Sequence, residues 1–321
     1  MNAKLRLSAS AAALALLVTA GVTSLGVTSV QAADVVAEPG CTLSGSVMAG
    51  YMYDWQNSHF DTGSEDFDGK DVDWSTPFGE GAGLVTCGGF NAQADVAYYA
   101  HSADLDNTDV NIDQTNTHLG GALFYRDPAS WAGGVQASWI GQDIEGKNID
   151  VFRVGLFGEF YFDDMFTLGG SAAYYNTDWP SSKDEDGFEF AAWGRFYATP
   201  DLAFTLRGDA LLGNLDFDKG SNADLDGWAI TGDGEYLVWD QGLAIFAGAR
   251  YADRKFDPDN SDFEAEVEDF QVFAGLKFYF GQDGTLVERQ RTGTIDNTSV
   301  FHEKLPDFGI SAEIGAISSP P

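Results

Sequence analysis

The stretch DFQVFAGLKFYFGQDG, from Asp269 to Gly284, decides the fold because its side chains alternate in polarity. One parity is entirely apolar and consists of Phe270, Val272, Ala274, Leu276, Phe278 and Phe280. The other parity is mixed, with Gln271, Gly275 and Lys277 beside two aromatic residues. Because successive side chains of a β-strand point to opposite faces, this pattern predicts a strand with one apolar face.

The same alternation recurs upstream and predicts an all-β fold of about twelve strands. Their approximate bounds are 42–55, 76–87, 90–101, 116–126, 131–142, 150–162, 166–177, 188–198, 202–215, 228–239, 243–255 and 269–280. The apolar parity includes Leu156 in one of these strands and Leu206 in another. With 24 Phe, 12 Tyr and 8 Trp, the chain is too rich in aromatic residues to be disordered.

The connections between the strands alternate between short and long. The short ones are built from turn-forming residues and read GGF, DPAS, DDM, TPD and DQG. The long ones cover approximately 56–75, 102–115, 143–149, 178–187, 216–227 and 256–268. This arrangement is typical of a transmembrane up-and-down antiparallel β-barrel, which turns its apolar face to lipid and its polar face inward. A soluble β-sandwich also alternates in polarity, but its strands are shorter and its loops are not segregated by length.

Tryptophan placement favours the membrane barrel. Trp131 and Trp239 adjoin short turns. The residues beside long loops are Trp55, Trp139, Trp179 and Trp228. Because indole rings concentrate at membrane–water interfaces, two such bands predict an aromatic girdle at each end of the barrel.

The N-terminal residues 1–32 have the features of a secretory signal peptide. Lys4 and Arg6 precede an apolar run, which ends in a small-residue motif, Val-Gln-Ala. We predict that the exported chain begins at Ala33 and that the barrel occupies residues 33–281. A buried N-terminal helix or a membrane anchor is the alternative.

The chain is strongly acidic, with 50 Asp and Glu against 17 Lys and Arg and a formal net charge of −33. Nucleic-acid binding needs a basic surface, so we predict no nucleic-acid partner. The long loops hold most of the acids, and at a surface rich in phosphorylated lipid they would need divalent cations as bridging partners. No loop has the EF-hand spacing, so we predict no dedicated metal site.

Gly275, Phe278 and Phe280 on the last strand resemble the signal that the insertion machinery recognises in Gram-negative outer-membrane β-barrels. The architecture of residues 41–281 resembles the broad porin-like class. The resemblance implies a location in the cell outer membrane, with outer-membrane lipid and the insertion machinery as partners. The chain departs from the pattern at Phe273, where a polar residue is usual, and in continuing beyond a signal that normally ends the chain.

An even strand count places both ends of the barrel on the periplasmic side, together with the short turns. Residues 282–321 are therefore predicted to form a periplasmic C-terminal tail. A solvated tail is the preferred interpretation, because chain termini are loose unless they are tied down. The alternative folds the tail back into the barrel mouth. Acids of the lumen or the cell wall are the expected partners of Arg289 and Arg291.

Cys41 and Cys87 are the only two cysteines, and they lie at the periplasmic ends of adjacent predicted strands. Exported proteins fold in an oxidising compartment, so we predict a disulfide between them. Two free thiols are the alternative.

Charged residues on the polar parity predict the lining of the lumen. They are Arg153, Glu159, Glu189, Arg195, Arg207, Asp209, Asp233, Glu235, Arg250 and Lys277. Opposite charges that pair across a narrow lumen would fill it, whereas a constricted polar path would conduct. The sequence leaves both arrangements open.

Three functions fit this barrel. The first is a porin-like channel for small solutes or cations, and the second is a structural or surface-interaction barrel with a closed lumen. The third is an enzyme at the outer rim, where His101 and His118 flank an acidic loop. Acids occur in every loop, so their nearness to a histidine carries little information. We predict no catalytic residue, no cofactor and no enzyme.

Overall fold

A computed structural model of the chain describes residues 40–61, 66–68, 72–104, 111–144, 147–178, 184–217, 221–258 and 263–302. The predicted signal peptide and residues 303–321 lie outside this part of the chain. The described residues form twelve long strands, one short strand and one short helix. Among them, no helix is long and apolar enough to cross a membrane.

The strands close into a barrel. They are β1 Thr42–Asp61, β2 Asp66–Asp68, β3 Val72–Cys87, β4 Phe90–Asp104, β5 Asn111–Asp127, β6 Trp131–Ile144, β7 Lys147–Phe162, β8 Phe166–Asp178, β9 Asp184–Thr199, β10 Leu202–Phe217, β11 Ser221–Trp239, β12 Leu243–Pro258 and β13 Glu264–Phe280. Each long strand pairs antiparallel with the next, and β13 returns to β1 in a register that begins with Gly45 opposite Phe280. This topology confirms the predicted up-and-down barrel.

The strands extend further into the predicted long loops than the sequence pattern suggested. β1 continues to Asp61 and β11 already begins at Ser221, so both include residues that we predicted as loop. In this region Asp224 of β11 still pairs with Asn214 of β10. Neighbouring strands satisfy each other's backbone N–H and C=O groups even where outward side chains are charged, so pairing continues after the polarity pattern has ended.

The apolar parity faces outward, as the alternation predicts. Leu156 and Leu206 are each 63% exposed, although both lie in the middle of long strands. Trp131 and Trp239 are exposed beside short turns, and Trp228 is exposed toward the other end. A contiguous apolar outer surface of this kind belongs in a lipid bilayer, with the tryptophans at its borders.

On the inner face, aromatic side chains lie over glycines of the neighbouring strand. Phe78 of β3 faces Gly50 of β1, and a Cβ atom on Gly50 would stand 2.5 Å from the Phe78 ring. The same pairing joins Phe246 to Gly275, Phe273 to Gly248 and Trp193 to Gly169. Because glycine has no side chain, the rings pack against the wall and leave the centre of the lumen to other residues.

After β13 the chain turns back into the barrel. Gly281 and Gly284 have φ angles of 70° and 107°, which glycine adopts without strain. Helix α1, Leu286–Thr292, follows, and a capping box between Thr285 and Glu288 closes its first turn. Residues 293–302 continue from the helix through the interior without regular secondary structure. We call residues 282–302 the plug segment.

The expectation of a solvated tail is wrong for residues 286–302. Arg289 is completely buried and donates hydrogen bonds to the carbonyls of Gly284 and Asp240, at 3.0 and 2.6 Å. Arg291 donates to the carbonyl of Phe166 at 2.9 Å. Arg289 therefore binds carbonyls of a short turn and of the plug segment itself. Arg291 binds a carbonyl at a short turn and lies 3.7 Å from the carboxylate of Asp164 in the same turn, so neither group meets the lumen acids that the alternative interpretation named.

Candidate functional site in the lumen

The plug segment is held to one side of the lumen by a buried charged cluster around Glu189 of β9. Arg153 of β7 forms a salt bridge with Glu189 at 2.7 Å. From the plug segment, Ser299 Oγ donates to the same carboxylate at 2.6 Å, and His302 Nδ1 lies 2.6 Å from it. Arg153 also donates to the carbonyl of Asn297 at 3.1 Å. Because the charges are paired and hydrogen-bonded, they can be buried without a large penalty.

Amide and guanidinium side chains of the wall also bind the backbone of the plug segment. The side-chain amide of Gln93 in β4 makes two hydrogen bonds with the backbone of Ile295. Gln93 Oε1 accepts from the Ile295 N–H, and Gln93 Nε2 donates to the Ile295 carbonyl, both at 2.8 Å. Arg126 donates to the Gly293 carbonyl at 2.6 Å. These bonds satisfy peptide groups that have no strand neighbour of their own.

Apolar side chains of the plug segment add two contacts across the interior. Phe301 packs in a buried cluster with Ile140, Tyr175 and Leu225, which come from three different strands. Ile295 packs in a second cluster closer to the short turns, with Leu84 and other residues. Most hydrogen bonds between the wall and residues 293–302 come from β4–β9, and we call this side of the lumen the packed half.

The opposite side of the lumen, formed by β10–β13, β1 and β3, is only partly filled, by helix α1 and by Phe301. We call it the open half. A cavity of about 270 Å³ lies between this side and the plug segment, and residues of β4, β5, β7 and β9 complete its lining. Its lining includes Thr205, Asp233 and Lys277 of the wall and Asp296 of the plug segment. A polar space of this size next to a packed segment is the feature of the lumen that bears most directly on function.

Charged groups in the open half form looser pairs than those around Glu189. Arg207 bonds both Asp209 and Asp296, at 2.8 and 2.9 Å. Lys277 lies 3.5 Å from Glu235. These side chains are partly accessible from the cavity, so water screens their interactions.

All ten predicted lumen residues lie on the inner face, but they divide between the two halves. Arg153 and Glu189 belong to the packed half and hold the plug segment. The cavity is lined by Glu159, Arg195, Arg207, Asp233, Glu235, Arg250 and Lys277. Asp209 is buried behind Arg207.

Sequence reasoning missed the residues that the plug segment contributes. Ile295, Asn297, Ser299 and Phe301 are buried, whereas Asp296 between them faces the cavity. Polarity gave no signal here, because polar Asn297 and Ser299 are buried whereas apolar Val300 beside them is only half-buried.

Comparisons with known proteins bear on the fold. No match was found to a protein-family model or to a curated protein. Among solved structures, the chain is similar to an outer membrane channel from Pseudomonas putida F1, with a TM-score of 0.50 and 12% identity over 78% of this chain and 100% of that one. The beta domain of a Bordetella autotransporter gives a TM-score of 0.42 and 11% identity over 74% of this chain and 100% of that one.

The fold is that of an outer-membrane β-barrel. Within this barrel the two cysteines lie opposite each other at the start of β1 and the end of β3, and their sulfurs are bonded. Their Cα atoms are 4.3 Å apart, so the bridge ties two neighbouring strands at the short-turn end.

The residues of the proposed insertion signal end the closing strand of this outer-membrane barrel. Phe278 is exposed on the lipid-facing side, and Gly275 lies on the inner face beneath the Phe246 ring. A Cβ atom on Gly275 would also stand 2.4 Å from the carbonyl oxygen of Ala49 in β1. Gly275 therefore has a packing role at the seam, and recognition by the insertion machinery stays a prediction.

Ser299, His302 and Glu189 are the residue types of a hydrolytic triad, but their geometry differs from one. Ser299 Oγ lies 3.1 Å from His302 Nδ1, and Glu189 contacts the same nitrogen. A triad needs the serine and the acid on different ring nitrogens. Of the two histidines considered for a rim enzyme, His101 Nδ1 lies 2.8 Å from Thr76 Oγ1, and His118 is buried in the lumen.

At the outer rim, Asp253, Glu266 and Glu268 bring one carboxylate oxygen each within 4.8 Å of one another. The Tyr251 hydroxyl donates to Glu268 at 2.5 Å. Other loop acids, among them Glu65, Asp109 and Asp259, lie outside the described residues. The binding of divalent cations by the acidic loops stays a prediction.

Proposed function

We propose that this protein is a narrow channel for small solutes or cations in the outer membrane, and that its passage runs between the plug segment and the open half of the wall. The observation that carries the proposal is the polar cavity of about 270 Å³ that the plug segment leaves unfilled. Selectivity in such pores follows from the pore diameter and the charges that line it. The likeness in fold to a bacterial outer membrane channel is consistent with this function.

A structural barrel with a closed lumen is the second candidate. It is favoured by the packed half, where the plug segment is bonded to Glu189, Gln93 and Arg126. In that case the cavity would be an isolated space with no route through the barrel. An enzyme has no support from the lumen geometry.

Single-channel conductance in planar bilayers tests the proposal. We expect a small conductance from the full chain and a several-fold larger one from a chain that ends at Gly281, because removal of residues 282–321 opens the packed half as well. If neither chain conducts, the channel proposal is wrong and the closed-lumen barrel takes its place. If the two conduct equally, the passage does not run beside the plug segment.

A variant that tethers the plug segment provides a matched control for truncation. Ser46 Oγ of β1 and Thr294 Oγ1 lie 3.2 Å apart, so a Ser46→Cys/Thr294→Cys pair can join the segment to the wall. The tethered chain should keep the small conductance of the full chain. Reductant opens both the tether and the Cys41–Cys87 bridge. Measuring the double variant and the unmodified chain, each under reductant, therefore separates the effect of the tether on conductance from that of the native bridge.

A further inference from the structure

The cavity of the open half has an aromatic side that a water-filled lumen does not require. Phe78, Phe246 and Phe273 line it, together with Met48 and Met52. The Phe78 and Phe246 ring centroids are 6.2 Å apart, and those of Phe246 and Phe273 are 6.5 Å apart. Lumens of outer-membrane barrels are usually polar, so a continuous group of rings calls for an explanation.

The pairing of the rings with glycines explains their position but not their number. Each phenylalanine lies over a glycine of the next strand, which keeps the rings against the wall. Small polar residues would fill the wall equally well and would suit a water-filled path. Rings held against the wall instead form an apolar surface beside the passage, against which a ligand can pack.

Two carboxylates border this aromatic surface on β3 and β4. Glu80 lies two residues beyond Phe78 on the same face and accepts a hydrogen bond from the Tyr99 hydroxyl at 2.7 Å. Asp95 accepts from Asn297 of the plug segment at 3.1 Å and also lines the cavity. Of the Arg and Lys side chains that line the cavity, Arg195 and Arg207 come from β9 and β10, far round the barrel from these two acids. Lys277 of β13 lies two strands from Glu80, and Met48 of β1 pairs with both.

Aromatic rings next to carboxylates form the combination that recognises organic cations. The negative face of a ring attracts an ammonium group, and a nearby carboxylate supplies the compensating charge. We propose that the cavity binds small ammonium compounds with an apolar body, with the Phe78 ring and the carboxylates of Glu80 and Asp95 around the cationic group. This inference rests on the proposed channel and names the class of solute that it passes.

Binding to the full chain in detergent tests the site without requiring conduction. Isothermal titration would compare benzyltrimethylammonium with benzoate, a matched anion, and benzyl alcohol, a neutral compound. We expect saturable binding of the cation and no binding of benzoate. Equal binding of the cation and the anion, or no binding of either, overturns the proposal.

Two substitutions test separately how the Glu80 carboxylate and the Phe78 ring contribute to cation binding. Glu80→Gln should weaken cation binding about tenfold, because it removes the adjacent negative charge. Glu264→Gln, the same change at the outer rim, should leave binding unaltered. Phe78→Leu keeps an apolar side chain but removes the ring face, so it should weaken binding of the cation more than that of benzyl alcohol. Unaltered cation binding in Glu80→Gln, or equal losses for both compounds in Phe78→Leu, contradicts the proposed recognition.

The conductance of the same preparations distinguishes this inference from the channel itself. Conductance without cation binding overturns the site and leaves the channel in place. Cation binding without conductance overturns the channel and leaves a binding site in a closed barrel. In a conducting protein, benzyltrimethylammonium should reduce the potassium current in a saturable way, and Glu80→Gln should shift that inhibition to higher concentration.

Discussion

The packed and open halves of the lumen have the same kinds of residues and different arrangements of them. In the packed half, Glu189 is fully buried and bonded to Arg153, Ser299 and His302 at distances of 2.6 to 2.7 Å. In the open half, Glu235 and Lys277 stand 3.5 Å apart beside a cavity. The comparison teaches that charges on an inner face serve two purposes: Glu189 fixes a segment in place, Lys277 lines the space that remains, and Arg207 does both.

The largest effect should come from removing the central carboxylate of the packed half. Glu189→Ala leaves Arg153 buried without its partner, which we expect to lower the free energy of unfolding by about 3–5 kcal/mol. Asp233→Ala in the open half is the matched control and should cost much less, because water reaches the cavity. Urea unfolding of the refolded protein in lipid vesicles measures both. Equal losses would show that the two halves do not differ as described.

The outer face of the open half provides the next test. Leu206→Arg puts a charge into lipid and should cost about 2–4 kcal/mol if the residue lies near the bilayer midplane. Thr205→Arg, one residue earlier on the same strand, places the new side chain in the cavity and should cost far less. Unfolding of the two variants in lipid vesicles measures the difference between their free energies of unfolding. If Thr205→Arg lost more stability than Leu206→Arg, the assignment of the inner and outer faces would be wrong.

The disulfide joins two strands of the open half, so its removal should destabilise the strand pairing of that half more than that of the packed half. Cys41→Ser with Cys87→Ser should lower the free energy of unfolding by about 2 kcal/mol, the lower end of the usual range for a bridge. Hydrogen exchange of β1 and β3 should rise, while exchange in β7 and β9 stays unchanged. Faster exchange in β7 and β9 alone would be evidence against this view. Thiol titration of the unfolded, unreduced protein checks that the bridge forms.

The smallest effect concerns ion selectivity. The chain carries a formal net charge of −33, and single-sign charge at a pore mouth concentrates counter-ions, so we expect the open half to pass cations in preference to anions. Salt should weaken the preference, because exposed charges are screened over about 10 Å at 0.1 M. Reversal potentials across a salt gradient measure it. An anion preference, or a cation preference that persists in molar salt, would refute the mouth effect.

Neutralising two acids of the lumen tests whether charges at the pore mouth or charges in the lumen set the ion selectivity. Asp233→Asn with Glu235→Gln removes two negative charges from the cavity lining and leaves the loops unchanged. If the mouth sets the preference, the reversal potential of this variant should match that of the original chain. A large shift in the reversal potential would show that charges in the open half, and not those at the mouth, set the ion selectivity.

The inward and outward faces of the barrel wall could be predicted from the sequence, whereas the division of the lumen into a packed and an open half could not. Phe270, Leu276 and Leu206 face outward as their parity predicts, because strand geometry alone decides the face. The contacts of Arg153 and Glu189 with residues 297–302 depend on a segment more than 100 residues away along the chain. A local pattern contains no information about such a partner. The burial of Arg289 was missed in part for the same reason, since one of its partners, the Asp240 carbonyl, lies 49 residues away at a short turn.

The position of the plug segment at the end of the chain has a consequence for folding kinetics. Gln93 binds Ile295 across 202 residues, and Glu189 binds His302 across 113. The entropy of closing a loop grows with its length, and contacts of long sequence separation form late. The wall can complete its neighbour-to-neighbour pairing from β3 to β13 before residue 293 has any partner. Docking of the segment is therefore expected as a late step of refolding, after the neighbouring strands of the wall have paired.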